Sequence, residues 1–205
     1  MLKIIYFIII YMQKESKVMV LDDKLKKMLT QSRYIHSVNV AEYARHLSEI
    51  YGADKEKAYI AGMLHDCAKC LDNETMNYYI KKYDIKLDDY EKESRALAHS
   101  IIGGYIAKYE FKIDDEEILN SIKYHTTGNE NMTLLEKIIY IADLTEKDRD
   151  FNGIEELRYL VENKEMDKAL LTSLNNTISL VIKRNHVIHP RTVNARNYLI
   201  YNAKK

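Results

Sequence analysis

The sequence predicts an all-α protein, and three observations support this fold class. The chain of 205 residues contains only six Gly and one Pro, which favours long helices over many short strands. Apolar residues recur at helical spacing in most segments, and no segment alternates polar and apolar residues as a half-buried strand would. No internal repeat or low-complexity tract is present. With 46% hydrophobic residues, the chain is expected to bury one substantial core.

The N-terminal segment is apolar and has three interpretations. Its run of about ten apolar residues is half of the roughly twenty that a membrane-spanning helix needs. A signal peptide would need a small-residue cleavage site, and a charged stretch follows instead. The third interpretation is that translation starts at Met12 or Met19. We favour this one, and expect residues 1–20 to be an extension outside a single domain of residues 21–205, in a cytoplasmic protein without membrane contact.

The charge balance excludes a global attraction to nucleic acid or to anionic membranes. The 31 Lys and Arg residues equal the 31 Asp and Glu residues in number, so any anionic ligand must be held by local charge. Two cysteines, Cys67 and Cys70, indicate a reducing compartment and no disulfide framework. Although they form a C-x-x-C, no second pair exists to complete a zinc site and no βαβ context surrounds them. We therefore assign them no function.

Start and stop signals divide the first half of the chain into helices. The predicted segments are a short amphipathic piece from Asp22, a helix over about 34–51, a helix capped by Asp54 that ends in His65-Asp66, and a piece over 75–82. Gly52 is expected to end the second segment in the C′ position, and Asp54 to cap the third. The charged stretch 83–93 is expected to be a loop.

Similar signals divide the second half. The predicted segments are a helix opened by His99, one that follows an acidic turn at 114–117 and ends at His125, one that ends at Asp143, a short one over 153–161, one over 166–186, and a last one capped by Thr192. Acidic residues in a first turn suit the helix dipole, and Thr133 with Glu136 forms a capping box. The helix over 166–186 is expected to be the longest.

One apolar run, residues 58–64, ends in ionisable residues. His65 and Asp66 follow it directly, and Lys69 lies three residues further on. In a helix, Asp66 and Lys69 share a face while His65 points about 100° away. Two adjacent side chains that diverge in this way hold a metal only if both flank it, or if the carboxylate bridges to a second ion. For a single His-Asp dipeptide, the alternative interpretation is a helix end that reaches solvent.

Six candidate metal ligands stand at the ends or on the apolar faces of predicted helices. One buried histidine is usually a core residue whose hydrogen bonds are satisfied. Several buried histidines together with carboxylates each need a polar partner in the protein interior. Imidazoles and carboxylates without thiolates suit iron, manganese, cobalt or zinc. Six ligands exceed the four of a structural zinc site, whereas two ions with open positions fit them. The six residues are His36, His65, Asp66, His99, His125 and Asp143.

Further polar residues near these six are candidates for contact with a phosphate or a sugar. For the cations, the alternative is a solvated surface. For the two threonines it is a simple helix stop, and for the group around His189 it is a surface turn. The candidates are Arg33, Lys69, Thr126, Thr127, Arg149, His186 and Arg191.

The order of these residues resembles a known family. His36, then His65-Asp66, then Asp143 follow the H…HD…D order of the HD-domain metal-dependent phosphohydrolases, which have an all-helical fold. Further segments resemble the YqeK branch, the symmetrical diadenosine tetraphosphate hydrolases. These segments are RYIH at 33–36, GMLHDCAK at 62–69, LAH at 97–99, YHTTG at 124–128, and IAD at 141–143 with Arg149. The resemblance runs from about residue 21 to the C terminus. The sequence departs from the family at EKDR, 146–149, where a Pro often follows the Glu, and in its apolar N terminus.

The resemblance implies an HD-domain helical bundle with two divalent metal ions, iron before manganese, cobalt or zinc. It assigns four ligands to the first ion, with Asp66 bridging to a second ion that His99 and His125 complete. The four are His36, His65, Asp66 and Asp143.

The resemblance also implies an activity and a partner. The expected reaction is symmetrical cleavage of diadenosine tetraphosphate to two ADP by a metal-activated hydroxide, with Asp66 and Lys69 as catalytic residues. The partner is then a small nucleotide and not a nucleic acid, and a homodimer is an open alternative to a monomer. Two other functions stay open: a nucleoside monophosphate phosphatase, and a non-catalytic domain that binds a nucleotide.

Overall fold

The computed structural model describes residues 21–203, and within them the fold is all-α without a strand. The predicted fold class is therefore confirmed, while the predicted extension, 1–20, lies outside the described residues. A helical stretch at 21–28 precedes the labelled helices. These are α1 (Gln31–Tyr51), α2 (Lys55–Leu64), α3 (Asn73–Lys82), α4 (Asp89–Glu93), α5 (Arg95–Glu110), α6 (Glu116–Tyr124), α7 (Leu134–Thr145), α8 (Ile154–Glu162), α9 (Met166–Lys183) and α10 (Pro190–Asn202).

Helix α7 lies at the centre of the bundle and packs against α1, α2, α6, α8 and α9. Thr133 begins it with the predicted capping box, in which Glu136 accepts a hydrogen bond from the backbone of Thr133. Its apolar residues, Ile138 to Ala142, are all buried. This packing fixes the end of the helix, where Asp143 stands, in the middle of the fold. In the part of the chain that the structure describes, no helix is long and apolar enough to cross a membrane.

Helices α1 and α2 approach each other closely at Gly62. A Cβ atom at this position would lie 2.6 Å from the Cα of Ala41 on α1, which is too close for any side chain. Gly52 ends α1 in the left-handed conformation with φ 76°, and Asp54 caps α2 by accepting from the backbone N–H groups of Glu56 and Lys57. The predicted stop and start signals between α1 and α2 are thus confirmed.

Four boundary predictions are wrong. The stretch expected to be a loop contains α4, whose capping box joins Asp88 and Glu91. Helix α5 begins at Arg95, four residues before His99, with Ser94 at its N-cap position but without a side-chain cap hydrogen bond. Helix α9 ends at Lys183, so α1, with 21 residues, is longer than α9, with 18. The last helix is capped by His189 rather than Thr192, with Pro190 in its first turn.

Candidate metal centre

Helix ends bring the six candidate ligands together. His65 and His125 are the C-cap residues of α2 and α6, and Asp143 lies in the last turn of α7. His36 and His99 stand in the second turns of α1 and α5. The helix that we expected to end in His65-Asp66 ends at Leu64, and the chain then forms turns through residue 70. Asp66 and Lys69 therefore lie in turns and not on one face of a helix.

One group of side chains surrounds a single oxygen of Asp143. The Nε2 atom of His36 lies 3.0 Å from Asp143 Oδ1, and the Nε2 atom of His65 lies 3.8 Å from it. The Oδ2 atom of Asp66 is 3.7 Å from His65 Nε2 and 4.0 Å from His36 Nε2. The first group consists of the side chains of His36, His65, Asp66 and Asp143. In it, imidazole Nε2 atoms face carboxylate oxygens at 3.0 to 4.0 Å.

The other carboxylate oxygen of Asp66 faces a second group. Asp66 Oδ1 lies 3.1 Å from the Nε2 atom of His99 and 3.5 Å from that of His125, and these two Nε2 atoms are 3.2 Å apart. The two oxygens of Asp66 therefore point at different sets of histidines. The sequence indicated that the side chains of His65 and Asp66 point in different directions. A carboxylate that faces two sets of histidines accounts for this difference.

Backbone and side-chain acceptors orient three of the imidazole rings. His65 Nδ1–H donates to the carbonyl of Gly62 at 2.6 Å, and His125 Nδ1–H donates to that of Ile122 at 2.8 Å. His36 Nδ1 lies 3.1 Å from Glu146 Oε1. Each of these bonds uses the Nδ1 proton and leaves the Nε2 lone pair for a further partner, as in metal-ligating histidines.

Among the described residues, three buried atoms of the six candidate ligands have no hydrogen-bond partner, and these are His65 Nε2, Asp66 Oδ1 and His99 Nδ1. Burial lowers the pKa values of His65 and His99 to about 4, so both rings are neutral near pH 7 and present a lone pair. Burial raises the pKa of Asp66, but the surrounding histidines outweigh it and hold the pKa well below its usual range. Neutral imidazoles and an ionised carboxylate with unpaired inward atoms fit a metal ion.

Three of the residues that were predicted to contact a phosphate are cations next to the two ligand groups. Arg33 Nη1 lies 3.2 Å from Asp66 Oδ2, and Lys69 Nζ lies 3.6 Å from Asp66 Oδ1. Arg149 Nη2 lies 2.5 Å from Asp143 Oδ1, and its Nε donates to the Asp143 carbonyl. Their side chains are 37%, 33% and 34% exposed respectively. Each charged group thus touches a central carboxylate and also reaches solvent.

The two threonines differ in their surroundings. Thr126 Oγ1 lies 3.2 Å from His125 Nε2, at the edge of the second group. The Thr127 side chain is buried and donates to the carbonyl of Gly128. Arg191 is paired away from the six ligands, with Nη2 3.1 Å from Glu91 Oε1 and Nη1 3.5 Å from Thr127 Oγ1.

His186 is exposed in the segment between α9 and α10 and lines a separate cavity of about 540 Å³ with Tyr90 and Leu97. Its predicted contact with the nucleotide stays a prediction, as do the roles of all the other site residues.

Sequence reasoning missed Glu146. Its side chain is 2% exposed, and it holds the His36 ring through Oε1 while Oε2 accepts from the backbone N–H of Asp148. The available signal was its position three residues after Asp143, which indicates a shared helical face.

Comparison with known proteins places this arrangement in a family. The HD domain family model matches residues 33–148 of the chain, a range that contains all six candidate ligands. The chain belongs to the HD-domain family. The HD domain is a metal-dependent hydrolase fold, so divalent metal binding agrees with the clustered His and Asp residues of this chain.

Three relatives of this HD domain carry the same enzyme name. The symmetrical bis(5'-nucleosyl)-tetraphosphatase of Bacillus subtilis (strain 168) is 41% identical, over 86% of this chain and 94% of the relative. The enzyme of the same name from Staphylococcus aureus (strain NCTC 8325 / PS 47) is 35% identical, over 88% and 93%. The predicted branch of the family is therefore confirmed, and neither alternative function is favoured.

A solved structure has the same architecture. It is an HD superfamily hydrolase from Clostridium acetobutylicum, described as involved in NAD metabolism, with a TM-score of 0.81 and 43% identity. The similarity covers 90% of this chain and 96% of that one. The HD-domain fold of this chain is thus shared over nearly the full length of a solved relative.

Proposed function

We propose that this chain is a metal-dependent hydrolase of dinucleoside polyphosphates that cleaves diadenosine tetraphosphate symmetrically into two ADP. The names of the relatives support this function, because the chain covers more than nine-tenths of their length. The structural observation that carries it is the divided carboxylate of Asp66, whose two oxygens face separate sets of histidines. A bridging carboxylate between two ligand sets is the arrangement that a two-metal hydrolase needs.

The proposed ligand sets follow from these distances. His36, His65 and Asp143 lie around one position with Asp66 Oδ2, and His99 and His125 lie around the other with Asp66 Oδ1. When bound, two divalent ions supply an activated water and offset the charge on the reacting phosphate. Iron is the metal that the family resemblance favours, with manganese, cobalt and zinc as alternatives.

The charge of the site suits a polyphosphate chain. Asp66 and Asp143 contribute two negative charges, whereas two divalent ions bring four positive charges. Lys69, Arg33 and Arg149 add three more, and each is partly exposed. A protein with no net charge thereby concentrates positive charge in one place, where it attracts and orients an anionic substrate.

The three cations are proposed to bind phosphate oxygens. Arg33 and Arg149 stand on the side of the first group, and Lys69 stands on the side of the second, 3.1 Å from His99 Nε2. Guanidinium groups bind phosphate oxygens in pairs, while the ammonium group acts as a point charge. They would hold the chain so that the bond between its second and third phosphates is the one attacked. ADP leaves as a stable anion, so little help from a general acid is needed.

The product pattern tests this function. Purified protein is assayed with each divalent metal against diadenosine tetraphosphate in oxygen-18 water, and the nucleotides are separated. We expect ADP as the only product, with label in half of the ADP molecules. Equal amounts of AMP and ATP would mean asymmetric cleavage and would contradict the proposal. Release of inorganic phosphate from AMP, without cleavage of the dinucleotide, would instead support a monophosphate phosphatase.

Three finer assignments belong to the same proposal. Two ions per chain are expected by elemental analysis after purification without chelators. A cytoplasmic location is expected, and it is checked by fractionating cells that produce the chain at its native level. A homodimer is the open alternative to a monomer, and sedimentation at several protein concentrations distinguishes the two.

A further inference from the structure

A cavity of about 290 Å³, lined by residues of α7, α8, α9 and the segment before α8, is mainly apolar. Phe151 provides an aromatic ring that is 38% exposed, and Leu180 is a second partly exposed apolar wall. Ser173, Asn176 and Thr177 add polar atoms along one face of α9. An apolar cavity with a few polar groups is the usual form of a small-ligand site. Its volume suits a nucleoside better than a whole dinucleotide.

The hydroxyl of Ser173 is an unpartnered polar group in this cavity. Ser173 is 2% exposed, and its Oγ atom has no hydrogen-bond partner within residues 21–203. A serine inside a helix commonly bonds to the carbonyl four residues earlier, and this one does not. A buried hydroxyl left unpaired lowers stability, so its presence among apolar side chains points to a ligand that bonds to it.

Two residues that line the cavity are close in the sequence to residues of the candidate metal centre. Leu144, which lines it, directly follows Asp143, so the two Cα atoms are about 3.8 Å apart. Phe151 stands two residues after Arg149, and thus at most roughly 7 Å from it along the chain. Arg149 in turn contacts Asp143. A nucleotide whose phosphates lie against Arg149 can therefore extend its base toward Phe151.

We propose that this cavity binds the nucleobase of one ADP half of the substrate, an inference that rests on the function proposed above. The base lies against the Phe151 ring with Leu180 on the other side, and its polar edge bonds to Ser173. A hydroxyl both donates and accepts hydrogen bonds, so it serves either kind of atom on the edge of a purine. The site thus positions the cleaved bond by anchoring the base at a fixed distance from the phosphates.

Binding measurements on the manganese-loaded protein test the base contact. Calorimetry gives the dissociation constants of ADP and of pyrophosphate, which lacks a base. Because base–aromatic stacking contributes substantially to binding, Phe151→Ala should weaken ADP about tenfold and leave pyrophosphate within about twofold. Leu180→Ala should act in the same direction, while Ile182→Ala should change neither. Ile182 is a matched control, since it is an exposed aliphatic residue, 58% exposed, on the same helix and outside the cavity.

Ser173→Ala separates a ligand contact from a packing role. The variant should keep or raise the Tm, because it removes an unpaired hydroxyl, and should still weaken ADP several-fold. A lower Tm with unchanged ADP affinity would mean that the hydroxyl serves the fold. Photolabelling with 8-azido-ADP gives a second readout, and the label should map to the peptide around Ser173. Label confined to the cavity beside His186 would overturn the proposal.

The outcomes for the cavity and for the proposed function are distinguishable. If the protein cleaves diadenosine tetraphosphate symmetrically and Phe151→Ala leaves ADP affinity unchanged, the cavity assignment fails and the function stands. If ADP binds with the expected sensitivities and no dinucleotide is cleaved, the function fails and the cavity assignment stands. A Phe151→Ala variant that alters self-association but not ADP affinity would assign the cavity to a second copy of the chain and overturn the proposal.

Discussion

Replacing Glu146 should weaken metal binding although this residue touches no metal position. Its Oε1 atom lies 3.1 Å from His36 Nδ1, and both side chains are buried. A carboxylate behind a ligating imidazole fixes the ring and raises its basicity, and its loss typically costs 10- to 100-fold in metal affinity or activity. That range corresponds to about 1.4 to 2.7 kcal/mol.

Two substitutions divide this effect into charge and hydrogen bonding. Glu146→Gln keeps an oxygen that can accept the His36 proton, so it should fall near the lower end of the range. Glu146→Ala removes the acceptor, leaves the buried His36 Nδ1–H unpaired, and also deprives the Asp148 backbone N–H of its partner. This variant should reach the upper end and should also lower the free energy of unfolding by about 1 to 3 kcal/mol.

The assay measures manganese affinity in a titration that is monitored by calorimetry, with a matched variant as the control. Glu136 is another buried glutamate, in the first turn of α7, but it only completes the capping box with Thr133. Because glutamine also serves in a capping box, Glu136→Gln should leave metal affinity unchanged. The reasoning is refuted if Glu146→Ala binds manganese like the wild type, or if Glu136→Gln loses as much affinity as Glu146→Gln.

The remaining predictions concern the ligands and their support. Asp66→Asn should abolish turnover and reduce bound metal below one ion per chain while helical circular dichroism persists; near-normal turnover at saturating metal would exclude the bridging role. His99→Ala and His125→Ala should each lose one ion more readily than the other, and full retention of both ions in elemental analysis would return these residues to a packing role. Gly62→Ala should cost at least about 2 kcal/mol in denaturant unfolding, because the new Cβ would meet the backbone of Ala41 at 2.6 Å; wild-type stability would mean that α1 and α2 can separate without cost.

The six candidate ligands could be found from the sequence because each depends on a local pattern. An ionisable residue at the end of an apolar run, as in Asp66 and Asp143, is costly in isolation and is therefore informative by itself. The same holds for His125, which ends an apolar stripe. Long helices with ordinary caps, such as α7, could also be predicted, because the capping box lies within four consecutive residues.

Features that depend on distant partners could not be found in this way. Glu146 acts on a residue 110 positions away, and Arg191 pairs with Glu91 across 100 positions. The sequence gives no spacing rule for such contacts, so the pairing of Arg191 with Glu91 could not be predicted, while its contact with the substrate stays a prediction. Helix α4 was missed because its five residues are mostly charged and too few to show a period.

The arrangement at His65 and His125 links the fold to the site. The last carbonyls of a helix have no partner within it, and each of these C-cap histidines donates its Nδ1 proton to such a carbonyl three residues earlier. One bond thus satisfies the helix end and also turns Nε2 toward Asp66. In α2 the acceptor is Gly62, the residue that lets α1 approach and thereby brings His36 within 4.0 Å of Asp66. The packing of two helices and the orientation of a proposed ligand therefore depend on the same residue, which is why Gly62→Ala should disturb both.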